Sequence, residues 1–208
     1  MTPTVSIVIP ARPNAKILTM ESLMEQTFKD VEIHVIVDKD LRGAPWARNR
    51  GLERAQGRYV LFSDDDVVWD RDAVQVLVET MERKRTAPVI DAGDLSWWAG
   101  WAYGGYQLWR YGDGYKVIGM QPWDYAKLKK TNYITTMSLV RRDYAPRWDE
   151  SLHRLQDWDY WLTMTKCRYL GVFVGRTLFR TDIRDGITFN GKISWEDAER
   201  MVRKKHCL

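Results

Sequence analysis

The segment Tyr59-Val-Leu-Phe-Ser-Asp-Asp-Asp66 decides how the rest of the chain is interpreted. Its first four residues are apolar, which predicts a short strand buried on both faces. Three consecutive carboxylates follow, and their mutual repulsion favours a bound cation or a network of hydrogen-bond donors. In extended backbone Asp64 and Asp66 would point one way and Asp65 the other. At this point an acidic turn before the next helix explains the triplet equally well.

Strand and helix signals alternate on both sides of this segment. Strands are predicted at Val5–Ile9, Val31–Val37 and Val89–Ala92, and helices at Ala15–Gln26, at Pro45–Gln56 and after Asp70 or Asp72. This alternation predicts an α/β fold with a Rossmann-like, mostly parallel sheet flanked by helices. Ligands of such sheets bind beyond the carboxyl ends of the strands, so residues 10–12, Asp38 and the acidic triplet should converge.

The second half of the chain is less regular. Residues 93–131 resist assignment because Gly, Trp and Tyr interrupt any period, and they form an aromatic-rich elaboration. Beyond them the sequence predicts strands at Tyr133–Val140 and Gly171–Phe179 and helices at Asp157–Lys166 and after Ser194. We expect one catalytic domain over residues 1–190, with a nucleotide-binding half at 1–92 and an acceptor half at 93–190. An amphipathic helix at 191–208 follows it.

Composition and charge limit the classes of function. The chain has 208 residues, 45% of them hydrophobic and 29% charged, which is typical of a globular protein. A net charge of +4 suits anionic small molecules but falls short of a nucleic-acid footprint. Neither the cysteines nor the histidines have metal-ligand spacing. The sequence shows no secretion signal and no apolar segment that could span a membrane, so we expect a cytoplasmic protein. It carries no signal of oligomeric state.

The order of several motifs resembles one enzyme family. Ala47-Arg-Asn-Arg-Gly51 precedes the acidic segment, and Trp148-Asp-Glu-Ser-Leu152 and Gln156-Asp-Trp-Asp-Tyr-Trp-Leu162 come later. Together they closely resemble the signature of family-two glycosyltransferases, which have the nucleotide-binding GT-A fold. The resemblance covers about residues 4–190, and Gln156 stands where the family commonly has Glu.

The resemblance assigns a donor site to the first half. The triplet is similar to the family's DXD motif, which implies that Asp66, assisted by Asp64, holds Mn²⁺ or Mg²⁺ while Asp64 and Asp65 lie near the ribose or the metal's water ligands. Aspartates are hard oxygen ligands that suit either ion, and such ions commonly bridge a diphosphate. The other residues expected to bind the nucleotide-sugar are Pro10, Arg12, Asp38 for the base, and Arg48. Arg180 or Arg184 is a candidate phosphate clamp, because a guanidinium can engage phosphate oxygens in bidentate fashion.

Asp157 matches the general base of inverting members of the family. In a direct displacement the acceptor hydroxyl must lose a proton, and a positioned carboxylate can take it. The resemblance therefore implies transfer of a sugar from a nucleoside-diphosphate sugar, most simply a UDP-sugar, to a hydroxyl acceptor. Without the resemblance, Asp157 reads as a residue favoured at a helix N-terminus. Asp159 is expected to be structural.

The aromatic-rich segment lies where the family places acceptor-binding elements. Candidate acceptor contacts are Trp97, Trp98, Trp101 and Trp158, since aromatic faces stack on sugars and on bases. Packing of a subdomain or of an oligomer interface explains the same residues. The sequence leaves open whether the acceptor is a glycan, a protein or a nucleic acid.

Two other functions stay open on the sequence. A metal-dependent nucleotidyltransferase would also use the triplet, but it needs a basic triphosphate-binding loop after the first strand. Arg12 and Lys16 are present there, but no Gly-rich pattern accompanies them. A non-catalytic module binding nucleic acid or glycan would use the aromatic and basic residues and would leave the triplet and Asp157 unexplained.

Overall fold

The computed structural model describes residues 2–84, 96–110, 114–182 and 193–208. Within these ranges the strands are β1 (Val5–Ala11), β2 (Val31–Val37), β3 (Tyr59–Phe62), β4 (Val67–Trp69), β5 (Trp98–Arg110), β6 (Gly114–Ile118), β7 (Leu139–Arg141) and β8 (Tyr169–Asp182). The helices are α1 (Thr19–Met24), α2 (Ala44–Arg54), α3 (Ala73–Arg83), α4 (Tyr125–Leu128), α5 (Gln156–Lys166) and α6 (Trp195–His206). None of these helices is long and apolar enough to cross a lipid bilayer.

The strands form one mixed sheet in the order β2-β1-β3-β7-β5-β8-β4, with β6 paired to β5. β1 pairs in parallel with both β2 and β3, as the strand–helix alternation predicts. Beyond β3 the sheet departs from the mostly parallel arrangement. β7 is antiparallel to β3 and β5, β4 is antiparallel to β8, and only β5 and β8 are parallel. The α/β class with flanking helices is confirmed, and its parallel part is confined to the N-terminal strands and this one pair.

The central strands are buried on both faces. In β1, Val5, Ile7 and Ile9 enter the core on the α3 side, whereas Val8 enters the core formed with α2 and α5. Because successive side chains of a strand point to opposite faces, a near-continuous apolar run is required when both faces are covered. The same alternation in β3 sends Tyr59 and Leu61 to one core and Val60 and Phe62 to the other.

The aromatic-rich segment contains the long strand β5, which the sequence does not reveal. Its glycines disrupt the apolar pattern, but they allow close packing against β8. A Cβ on Gly100 would lie 2.6 Å from the Tyr169 Cβ, and one on Gly104 would lie 2.6 Å from the Leu178 Cγ. Glycine in a strand commonly marks such a close approach.

The strand predicted at Tyr133–Val140 is wrong over most of its length. Only Leu139–Arg141 pairs in the sheet, while the preceding residues form a loop closed by the Ser138 hydroxyl, which donates to the Thr135 carbonyl at 3.0 Å. The first helix is shorter than predicted, because Asn14 has a left-handed backbone (φ 60°) and α1 begins at Thr19. The predicted strand Val89–Ala92 and the two expected boundaries near residues 92 and 190 lie outside the described residues.

Candidate active site

The carboxyl ends of the first three strands open into one cleft of about 650 Å³. Pro10 and Arg12 at the end of β1, Asp38 after β2 and the acidic triplet after β3 all line it. The N-terminus of α5 contributes Asp157 from the second half of the chain. The structure therefore brings together the residues that the sequence assigned to donor binding and to base catalysis.

Arg48 connects the acidic triplet to α5. Its guanidinium donates to the Asp64 Oδ1 at 2.8 Å and to the Gln156 Oε1 at 3.0 Å. It also lies over the Trp148 ring, 4.8 Å from the centroid. The Arg48 side chain is only 5% exposed, so its charge depends on this pairing. One buried arginine thus fixes the spacing between the triplet and the helix that carries Asp157.

Asn49 holds the same two parts of the chain together through the backbone. Its side-chain nitrogen donates to the Trp148 carbonyl at 3.0 Å, and its side-chain oxygen accepts from the Trp148 amide at 2.8 Å. The Asn49 side chain thus pairs with both the backbone N–H and the backbone C=O of Trp148, which holds the two segments together. The two adjacent motif residues therefore have different roles. Asn49 joins α2 to the segment before α5, whereas Arg48 points into the site.

Asp38 has one carboxylate oxygen available for a ligand. Its Oδ2 accepts from the Gly43 amide at 2.6 Å, whereas its Oδ1 is buried without a hydrogen-bond partner among the described residues. A buried acceptor left unsatisfied is costly, and such atoms commonly mark a ligand contact. This geometry suits an N–H donor, such as the one on the edge of a nucleotide base.

Asp157 lies in the first turn of α5, where the cleft and the protein interior meet. Burial raises its pKa, while a hydrogen bond from Asn132, one from the Trp158 amide and the charge of Arg48 oppose the rise. The preceding Leu155 has a left-handed backbone (φ 54°), which is unfavourable for a residue with a branched side chain. The strained backbone of Leu155 lies directly before the helical turn that orients Asp157, and such strain commonly occurs at functional sites.

Asp159 is structural, as the sequence indicates. It is buried and accepts from the His206 Nε2 at 2.8 Å and from the Lys205 Nζ at 2.9 Å. These hydrogen bonds fasten α6 to α5. Asp159, two positions after Asp157, therefore has a structural role.

The triplet offers a metal ion few ligands from the protein alone. No group of three or more candidate ligand side chains converges within the described ranges. Asp64 has one oxygen engaged by Arg48, and burial and the neighbouring Asp64 raise the pKa of Asp65. Mg²⁺ is commonly held by one or two carboxylates and completes its shell with phosphate and water oxygens. The donor set therefore fits a divalent ion that arrives with a diphosphate.

Sequence reasoning missed several residues of the cleft. Arg154 lines it, and its Nε is buried without a hydrogen-bond partner in the described part of the chain. Tyr106 of β5 lines it as well, and burial and then the charge of Asp157 raise the pKa of its hydroxyl. Arg154 could have been found from its position three residues before Asp157. Tyr106 gave no signal because β5 itself was not predicted.

The expected acceptor contacts require correction. Trp101 cannot contact a ligand, because it is fully buried and stacks on Trp161 with ring centroids 4.9 Å apart. Trp97 packs against Trp123 and does not line the cleft, and Trp98 starts β5 away from it. The packing interpretation thus fits these three.

The fourth expected acceptor residue, Trp158, does line the cleft. Its indole Nε1 donates to the Leu128 carbonyl at 2.6 Å, so its polar edge is engaged by the protein. The candidate phosphate clamp Arg180 is exposed on β8 and is not among the residues that line the cleft, although the next two residues, Thr181 and Asp182, are. Arg184 lies outside the described residues.

Residues 20–148, more than half of the chain, match the family model described as "Glycosyl transferase family 2". The chain belongs to this family. The match includes the Arg48-Asn49 motif and the acidic triplet, and it ends before Asp157.

Two relatives of this family-two member are named as biosynthesis glycosyltransferases. A Bacillus subtilis protein, TuaG, whose name ascribes it to teichuronic acid biosynthesis, is 41% identical over 69 residues, which is 33% of this chain and 27% of that protein. The amylovoran biosynthesis glycosyltransferase AmsB of Erwinia amylovora is 26% identical over 212 aligned positions, 83% of this chain and 67% of AmsB.

Solved structures show that the family-two chain has the GT-A fold. TarS 1–349 of S. aureus in complex with UDP-GlcNAc superposes with a TM-score of 0.71 at 14% identity, over 97% of this chain and 66% of that one. The chain thus spans about two thirds of TarS 1–349 and of AmsB and a smaller part of TuaG.

Proposed function

We propose that this protein is an inverting glycosyltransferase that moves a sugar from a nucleoside-diphosphate sugar, with uridine as the base, to a hydroxyl acceptor. The observation that carries the proposal is the bridge from Asp64 through Arg48 to Gln156, which places the acidic triplet and Asp157 around one cleft. Direct displacement needs a donor held at one side of the reacting carbon and a base at the other.

The donor base is assigned to the pocket beside Asp38. The unpartnered Asp38 Oδ1 suits the ring N–H of uracil, and Pro10 lines the same end of the cleft. The UDP-GlcNAc bound to the structural relative TarS agrees with this choice of nucleotide.

The diphosphate is assigned to the region between the triplet and α5. Asp66, assisted by Asp64, would hold Mn²⁺ or Mg²⁺, which when bound neutralises charge on the departing nucleoside diphosphate. Arg12 lies in the cleft near Asp65, and Arg154 lines the cleft without a carboxylate partner among the described residues. We therefore expect these two arginines, in place of Arg180, to bind the phosphate oxygens.

Asp157 is assigned the role of general base. The acceptor oxygen forms a bond to the anomeric carbon as the bond to the diphosphate breaks, and the hydroxyl proton moves to the Asp157 carboxylate. The sugar is inverted because the displacement is single. A carboxylate whose pKa is raised by burial holds this proton more firmly than an ordinary aspartate would.

Transfer assays with two variants and a matched control test the proposal. With a panel of sugar nucleotides and Mn²⁺, we expect UDP release to fall about 10²–10⁴-fold in Asp157→Asn and by a comparable factor in Asp66→Ala. Asp143→Asn is the control, because Asp143 is 80% exposed and does not line the cleft. Full activity in both site variants would refute the mechanism. Release of pyrophosphate instead of nucleoside diphosphate would indicate a nucleotidyltransferase.

A further inference from the structure

Trp195 is the one tryptophan that the fold leaves exposed. All eleven tryptophans lie in the described ranges, and ten are buried or half-buried, whereas Trp195 is 49% exposed. It lines the same cleft as Asp157. A large apolar side chain gains free energy when it leaves water, so an exposed indole on the wall of a cleft is a candidate ligand contact.

The helix that carries Trp195 is capped at its first turn and is fastened to α5 at its last turn. Its first turn is capped by Ser194, whose hydroxyl accepts from the Asp197 amide at 3.0 Å. Its last turn is fastened to α5 by the contact of His206 with Asp159. Since α5 also carries Asp157, the indole occupies a defined place relative to the candidate base.

Glu199 lies one helical turn after Trp195 and lines the cleft too. Residues four apart share a helix face. The Glu199 Oε1 accepts from the Arg203 Nε at 2.7 Å, and the second carboxylate oxygen has no partner in the described part of the chain. Arg203 is itself held, because it donates to the Lys130 carbonyl at 2.8 Å and lies over the Trp158 ring. The cleft wall thus presents an indole face beside an oriented carboxylate.

We propose that Trp195 and Glu199 form the platform for the acceptor, and that this acceptor is a saccharide. An indole packs on the apolar C–H face of a sugar ring, and a carboxylate accepts hydrogen bonds from its hydroxyls. A nucleic-acid acceptor would also stack, but its phosphates would be repelled by Glu199. The inference rests on the proposed function, because it treats the ring bound here as the nucleophile for the same reaction.

The test is binding of the full chain, with UDP and Mn²⁺ present, to an array of saccharides that also carries single-stranded oligonucleotides and peptides. We expect saccharide binding by the wild type and a rise of about 2- to 10-fold in apparent Kd for Trp195→Ala, with Trp195→Phe in between. Met201→Ala is the control, since Met201 is exposed on the same helix and does not line the cleft. Thermal unfolding of each variant checks that α6 remains folded.

The outcomes separate this inference from the proposed function. Unchanged saccharide affinity in a folded Trp195→Ala variant, or wild-type binding only to oligonucleotides or peptides or to nothing on the array, would overturn the platform. The thermal shift caused by UDP with Mn²⁺ is measured in parallel and should be equal in wild type and Trp195→Ala. If that shift is missing while the Trp195-dependent saccharide binding is present, the donor assignment fails and the saccharide site stands.

Discussion

Asp157 is a carboxylate held in a setting that disfavours its charge. Burial raises its pKa, and the Asn132 hydrogen bond, the Trp158 amide and Arg48 limit the rise. The native protein therefore binds this proton more tightly than the unfolded chain does. Ionised Asp157 lowers stability at pH values above its folded pKa, and the cost vanishes once pH falls below the unfolded value of about 3.9.

Asp157→Asn should therefore be more stable than the wild type at neutral pH, although much less active. We expect its Tm to exceed that of the wild type near neutrality, with the difference shrinking as pH approaches about 4. Scanning calorimetry across this pH range measures the difference. The wild-type kcat/KM should fall on the acid side at a pH above that expected for an ordinary aspartate. A variant that gains no stability near neutrality would show that burial places no strain on the carboxylate.

Arg154 gives a second prediction at the residue scale. Arg154 lines the cleft, and its Nε is buried without a hydrogen-bond partner among the described residues, so it can bind an anionic ligand. Arg180 is exposed and does not line the cleft. Arg154→Met should weaken UDP binding about 10- to 100-fold in calorimetric titrations with Mn²⁺. Arg180→Met is the matched control and should bind UDP as the wild type does. The reverse ranking would restore Arg180 as the phosphate clamp.

At the scale of elements, the junction of α5 and α6 connects the candidate base to the candidate acceptor platform. Asp159 on α5 receives hydrogen bonds from both Lys205 and His206 on α6, and the side chains of Asp159 and His206 are almost completely buried. Replacing a buried charged acceptor leaves its donors poorly satisfied.

Asp159→Asn should lower the free energy of unfolding by about 1–3 kcal/mol. Urea denaturation measures the loss, and the exposed Asp143→Asn serves as the control with a change within about 0.5 kcal/mol. Because Asp159 is in the scaffold, UDP binding should remain. Equal stabilities of the two variants would mean that α6 is not held through Asp159.

The elements that the sequence predicted well are those whose pattern is local. β2 and β3 have the predicted bounds, and α6 has the predicted capping pair of Ser194 and Asp197. Their signals are an uninterrupted apolar run or a cap within one turn. β5 was missed because its glycines interrupt the apolar pattern of a strand. The strand at Tyr133–Val140 was overpredicted because most of this segment is a loop whose buried apolar residues give the pattern of a strand.

At the scale of the whole molecule, the cleft lies where the parallel N-terminal strands meet the antiparallel strands of the second half. In the sheet, β7 lies between β3 and β5 and joins the two parts. Parallel strands explain why the candidate donor-binding residues converge. They do not predict the opposite wall, which α5, α6 and β5 build from residues far apart in sequence.

The sequence by itself determined the parallel strands of the first half, the acidic triplet after β3 and the helix that carries Asp157, because apolar runs and motif order are properties of neighbouring residues. Only the tertiary structure decided which aromatics face the cleft, burying Trp101 against Trp161 and leaving Trp195 exposed. It also decided that Arg48 reaches Gln156, 108 positions away. Whether a side chain is buried or paired depends on the residues that pack against it in the folded protein. Those residues are far away in the sequence, so the local sequence pattern does not reveal them.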